Sequence, residues 1–157
     1  MSQLTLADAV GQVVAVLDEA FSPPQRSWSY FLDRQHGGLL QMMAGLTAEE
    51  ASQPVGGSSV AAHAHHVAFA LAASKAWLEG RPAPRDWEAS WVVHTVDADA
   101  WEALQVQVRA NYLHVREAIG RHAADRAEAF GGAVGAAAHA AYHVGAIRQK
   151  LAVLRAG

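Results

Sequence analysis

Apolar residues recur at intervals of three and four along four long stretches of the chain, and no stretch alternates with a period of two. Leu6, Val10, Val13, Val14 and Leu17 predict a first helix over about 5–20. Thr5, with Asp8 three residues on, resembles a capping box, and Pro23-Pro24 ends the helix. Trp28, Tyr30, Phe31 and Leu32, then Leu39, Leu40, Met42, Met43 and Leu46, read as a helical segment broken near Gly37-Gly38. Thr47 to Glu50 caps a further short turn, and Pro54 with Gly56-Gly57 makes a loop.

Ser58 or Ser59 caps a second long helix over about 60–79, with Val60, Ala64, Val67, Leu71 and Leu78 on one stripe and Gly80 at its end. A loop over 81–96 carries Trp87 and Trp91. They read either as a lid over a pocket mouth or as anchors holding the loop to the core, and the anchoring reading takes precedence. Asp97 or Asp99 starts a third helix to Ile119, with Trp101, Leu104, Val108, Tyr112, Val115 and Ile119 on its apolar face and Gly120 as its stop. A polar stretch over 121–130 and Gly131-Gly132 precede a last helix over about 133–155, striped by Ala140, Val144, Ile147 and Leu151. The expected fold is all-α: one four-helix-bundle domain over 1–157 with a long crossover loop.

Composition narrows the function classes. With 12 basic and 15 acidic residues, the net charge of -3 carries no basic excess of the kind that marks a nucleic-acid footprint. The chain has no cysteine, which removes disulfides, a thiolate nucleophile and any Cys-bearing metal site. The N-terminal stretch MSQLTLADAV has no signal-peptide pattern, so a cytoplasmic location is expected. Residues 51–74 and 129–147 are charge-free or nearly so, but their Ala, Gly and His content reads as buried helix rather than membrane span. The expected partner is a small-molecule substrate, with neither nucleic acid nor membrane.

The candidate chemistry lies in HAAYHVGAIRQ. His139 and His143, four residues apart on a helix, sit about 40° apart around the axis and can grip one metal ion from the same side. By itself such a pair reads more readily as two hydrogen-bonded core histidines. A third imidazole changes that balance, and the second helix offers His63, His65 and His66. Three nitrogen ligands with an open fourth position is the catalytic pattern. Periodicity alone favours His63, which lies nearer the apolar stripe. Imidazole suits zinc, nickel, iron and copper alike.

At these residues the chain resembles the DinB/YfiT-like superfamily. Its members are four-helix bundles with a three-histidine metal site, one ligand following a Ser-Val pair on the second long helix and two lying in an H-x-x-x-H-x-G near the C-terminus. The matching residues are Ser59-Val60 with His66-Val67, and His139, His143 and Gly145. The resemblance therefore implies His66, His139 and His143 as ligands of a divalent ion, zinc or nickel foremost. His63 becomes a pocket neighbour or a support for a ligand, and His65 faces solvent or another helix. The resemblance further implies a homodimer and an enzyme, either a transferase acting through a low-molecular-weight thiol or a hydrolase.

Tyr142, about 60° from His139 on the helical wheel, is expected with His63 to border the bound cofactor or substrate, whereas Arg148 points away. Ala140 stands where an HExxH peptidase carries its Glu, and no Glu-x-x-His pair of a di-iron bundle is present. The competing reading is a non-catalytic metal-binding or stress-related interaction protein of the same fold. It requires a closed coordination shell with no pocket beside it.

Overall fold

A computed structural model describes residues 3–23, 26–32 and 37–156. Among these the protein is helical, with six helices packed together and no strand beyond an isolated bridge between Val55 and Ser58. The helices are α1 (Leu6–Phe21), α2 (Leu39–Ala44), α3 (Ala48–Ser52), α4 (Val60–Leu78), α5 (Ala98–His122) and α6 (Ala127–Ala156). The long helices α1 and α4 each pack against both α5 and α6. Leu17, Phe21, Val67, Leu78, Val108, Val115, Ile119, Val144 and Ile147 fill the space between them. None of the helices among the described residues is long and apolar enough to cross a membrane.

The expected helix starts are where the caps place them. Thr5 and Asp8 form a full capping box at α1, and Ser59 Oγ accepts from Ala62 N at the start of α4. Of the two candidates for α5, Asp97 is the cap, accepting from Ala100 N. Thr47 with Glu50 caps α3 in the same way as α1. α1 ends at Phe21, before Pro23, and Pro24 lies outside the described residues.

Three expectations are corrected. The stretch 28–32 is not helical, because Glu19, buried on α1, accepts hydrogen bonds from the N–H groups of Tyr30, Phe31 and Leu32. Those donors are then unavailable to a helical ladder. Gly120 does not stop α5, which runs on to His122, whereas Gly80, at φ 70°, does sit in the left-handed conformation that ends α4. α6 begins at Ala127 rather than after Gly131-Gly132. A Cβ on Gly132 would lie 2.7 Å from Trp77 Cδ1, so that glycine admits the Trp77 indole against the helix.

The connection over 79–97 is irregular apart from one 3₁₀ turn at Ala89–Trp91. That turn packs on α4 and brings Ser90 and Trp91 onto the histidines.

Candidate metal centre

His63 and His66 stand one turn apart on α4, and His139 and His143 one turn apart on α6. Because α4 packs on α6, the two pairs meet. His66 Nε2 lies 3.1 Å from His139 Nε2, and His143 Nε2 lies 3.1 Å from the same atom. Among the described residues these three form the cluster able to hold a metal ion, their ligand atoms all within 4.8 Å of one another. Nitrogen ligands at about 2.0–2.1 Å from a tetrahedral zinc stand roughly 3.3 Å apart, so the two 3.1 Å separations are compatible with a shared cation. His66 and His143 are buried and His139 is half-buried.

Hydrogen bonding aims the lone pairs. Ser90 Oγ donates to Trp87 O at 2.5 Å, so it accepts from His66 Nδ1 at 2.7 Å. The proton of His66 is thereby placed on Nδ1 and its Nε2 is left as a bare lone pair. His143 Nδ1 lies 2.9 Å from His63 Nδ1, and His63 Nε2 lies 3.1 Å from Ser58 Oγ. A cation at the centre selects the tautomers in which His143 donates to His63 and His63 to Ser58. Trp91 covers the far side, stacked on the His66 ring at 4.1 Å and edge-on to His63 at 5.2 Å.

The imidazoles are held neutral. Burial, the nearby Lys150 charge and then His66 lower His63 to about 4. Burial, His139 and His65 lower His66 to about 4, and burial with the neighbouring imidazoles lowers His143 to about 3. His139 is lowered by burial alone. Ligands already deprotonated at neutral pH release no proton on taking a metal.

On one side the group opens to a cleft of about 640 Å³ between α4, α6 and the 79–97 connection. His66 and His139 line its inner end, Trp77 and Trp87 are walls, and Ala70, Ala73, Gly135 and Ala136 leave it wide. The cleft walls are predominantly apolar, as small-molecule sites are.

The expected residues divide as follows. His66, His139 and His143 come together, and His63 lies behind His143 as its hydrogen-bond partner. Periodicity ranked His63 first because it is nearer the apolar stripe, but that same depth puts it beyond the point where the Nε2 atoms meet. His65, half-buried, turns its Nδ1 to Ser90 O on the 3₁₀ turn, 2.8 Å away, in keeping with its facing another helical segment. Tyr142 does not border the cleft: it is 69% exposed on the outward face of α6, with its ring edge-on to His143. Trp87 and Trp91 both anchor the connection and wall the site, which joins the two readings of that loop.

Sequence reasoning missed the parts that Ser90, Ser58 and Lys150 play at the site; it named Ser58 only as a candidate helix cap, a place Ser59 takes. Lys150 Nζ, buried, donates to Val55 O and to Ser58 O, 3.1 Å away in the latter case. It thereby pins the glycine turn that carries Ser58. Its signal was present: seven residues after His143, it falls on the same helix face. No family model matches the chain, nor does a curated protein or a solved structure.

Proposed function

We propose that this chain is a divalent-metal-dependent enzyme with the four-helix bundle of the DinB/YfiT-like superfamily, acting on a small molecule by thiol S-transfer or hydrolysis. One observation carries the reading. Three imidazole Nε2 atoms converge at metal-ligand spacing beside an open apolar cleft, rather than inside a closed shell. The open side gives a ligand a way to the position that three protein ligands leave vacant. A zinc or nickel ion held there would supply Lewis acidity, lowering the pKa of a bound thiol or water.

The chain's own groups do the rest. Ser90 and His63 fix the rings of His66 and His143, and Trp91 shields them from solvent. The cleft holds the apolar part of the substrate and excludes water from it. With no cysteine in the chain, a reacting thiol has to come from outside.

The test is metal analysis of protein purified without chelator, joined to a turnover screen with low-molecular-weight thiols. Near-stoichiometric zinc or nickel is expected, lost in His143→Ala while the helical circular dichroism remains. Folded protein that takes up neither ion on incubation overturns the reading. Metal-loaded protein that turns over no thiol adduct or hydrolysable ester leaves the metal site standing and removes the enzyme.

A further inference from the structure

The cleft has one charged wall. Arg85, on the 79–97 connection, is the charged side chain among the lining residues, which otherwise offer the two histidines and Ser74 as polar groups. Its guanidinium makes one long hydrogen bond, Nη2 to Ala72 O at 3.3 Å, and lies 5.8 Å from the Phe69 ring. Among the described residues it has no carboxylate partner. Of the acidic side chains near it in sequence, exposed Glu88 forms no ion pair with it, and two others are engaged elsewhere. Asp86 accepts from Glu88 N and Ala89 N to start the 3₁₀ turn, and Glu79 pairs with Lys75 and Arg81.

A guanidinium presents five N–H donors in a planar fork that fits a carboxylate. Left without an anion on the wall of an apolar cleft, it is a recognition element in search of one. The distance to the histidines sets the ligand's length. Ala72, whose carbonyl Arg85 touches, is six residues beyond His66 on α4, a rise of about 9 Å. Between those ends the walls are Ala70, Ala73, Gly135 and Ala136, which suit a hydrocarbon body.

We propose that the cleft takes an elongated apolar molecule bearing one carboxylate. Arg85 holds the carboxylate, and the other end reaches the His66–His139–His143 group. This rests on the metal reading above, and the test separates the two.

The probes are mercaptooctanoate, the uncharged mercaptooctanol and the short mercaptopropionate. Each is titrated into cobalt(II)-loaded protein and followed by thiolate-to-cobalt charge-transfer absorption. Mercaptooctanoate is expected to bind roughly tenfold more tightly than mercaptooctanol, the scale of one charge-assisted hydrogen-bond pair. Arg85→Gln abolishes that preference while cobalt content and mercaptooctanol affinity hold, and Arg85→Lys keeps part of it. Mercaptopropionate, too short to span the cleft, binds Arg85→Gln and the unaltered protein alike.

Equal affinity for the acid and the alcohol overturns the inference, as does a preference that survives Arg85→Gln. Both results leave the metal site intact. Protein that takes up no cobalt overturns the inference together with the reading beneath it.

Discussion

Ser90 Oγ lies 2.7 Å from His66 Nδ1 and passes its own hydrogen to the carbonyl of Trp87. One hydroxyl therefore decides which nitrogen of His66 carries the proton. It also ties the long connection to the histidine cluster. Ser90 is wholly buried, so no water replaces it without rearrangement. Ser90→Ala is expected to lower zinc or nickel affinity about 10–100-fold, the range for losing a group that orients a metal-binding histidine. Helix content should be unchanged. Affinity measured by competition with a chromogenic chelator checks this, and a Ser90→Ala protein with unaltered affinity would contradict the role.

The neutral histidines give the metal-free protein an acid limb. His63, His66 and His143 sit at about 4, about 4 and about 3, below the 6.5 of a free imidazole. As pH falls, the unfolded chain takes up protons before the folded one does. Stability from these groups is therefore fully present above about pH 6.5 and declines as pH falls toward 4. Melting curves of chelator-treated protein should show Tm falling across that window. The rise in Tm on adding zinc should persist across most of that window and fade only as pH nears the folded value of His66, about 4, where protons compete for the ligands. A flat Tm from neutral pH down to about pH 5 would refute the assignment of four neutral imidazoles.

Glu19, on α1, is a second buried group whose protonation matters, apart from the histidines of α4 and α6. It accepts from Tyr30 N, Phe31 N and Leu32 N at 2.7–2.8 Å and pairs with Arg26 at 2.5 Å. Burial alone would raise its pKa. The three backbone donors and Arg26 outweigh that and lower it. Its contribution is thus present above the ordinary carboxylate range and lost as pH falls through the depressed folded value. Glu19→Ala leaves buried donors unpaired and should cost about 2–4 kcal/mol in urea unfolding at neutral pH. Metal stoichiometry should not change. Glu19→Gln should lose less, and it should lack that group's share of the acid limb.

The same glutamate shows where the sequence stops being legible. Local signals placed the long helices: Thr5 with Asp8, Ser59 and Asp97 start them, and the apolar stripes set which faces turn inward. The spacing of His139 and His143 was equally local, one turn of one helix. What escaped was contact between segments distant in sequence. Tyr30 and Phe31 look helical until Glu19 takes their N–H groups. Ser90 is an unremarkable loop serine until the 3₁₀ turn sets it against His66. The choice between His63 and His66 depends on how deep α6 lies against α4, which no periodicity along α4 encodes.

Gly132 belongs with these long-range cases, and it yields a contrast that a local reading gets backwards. In mid-helix, glycine is ordinarily about 0.5–1 kcal/mol worse than alanine, so Gly→Ala should stabilise. Gly135→Ala should behave so, since a Cβ there meets nothing within 4 Å. At Gly132 the added Cβ would stand 2.7 Å from Trp77 Cδ1 and 3.0 Å from its Nε1. The rigid indole, whose Nε1 donates to Glu128 O at 3.2 Å, has to swing away from α6. Gly132→Ala should therefore destabilise by about 1–2 kcal/mol, the cost of forcing a packed side chain aside. It should also red-shift the Trp77 share of the fluorescence, read against a Trp77→Phe control. Because Trp77 and Gly132 both line the cleft, mercaptooctanoate binding should weaken in Gly132→Ala with metal content intact. If Gly132→Ala proves as stable as Gly135→Ala, with unchanged fluorescence, the indole does not rest on that glycine and the cleft wall is not held there.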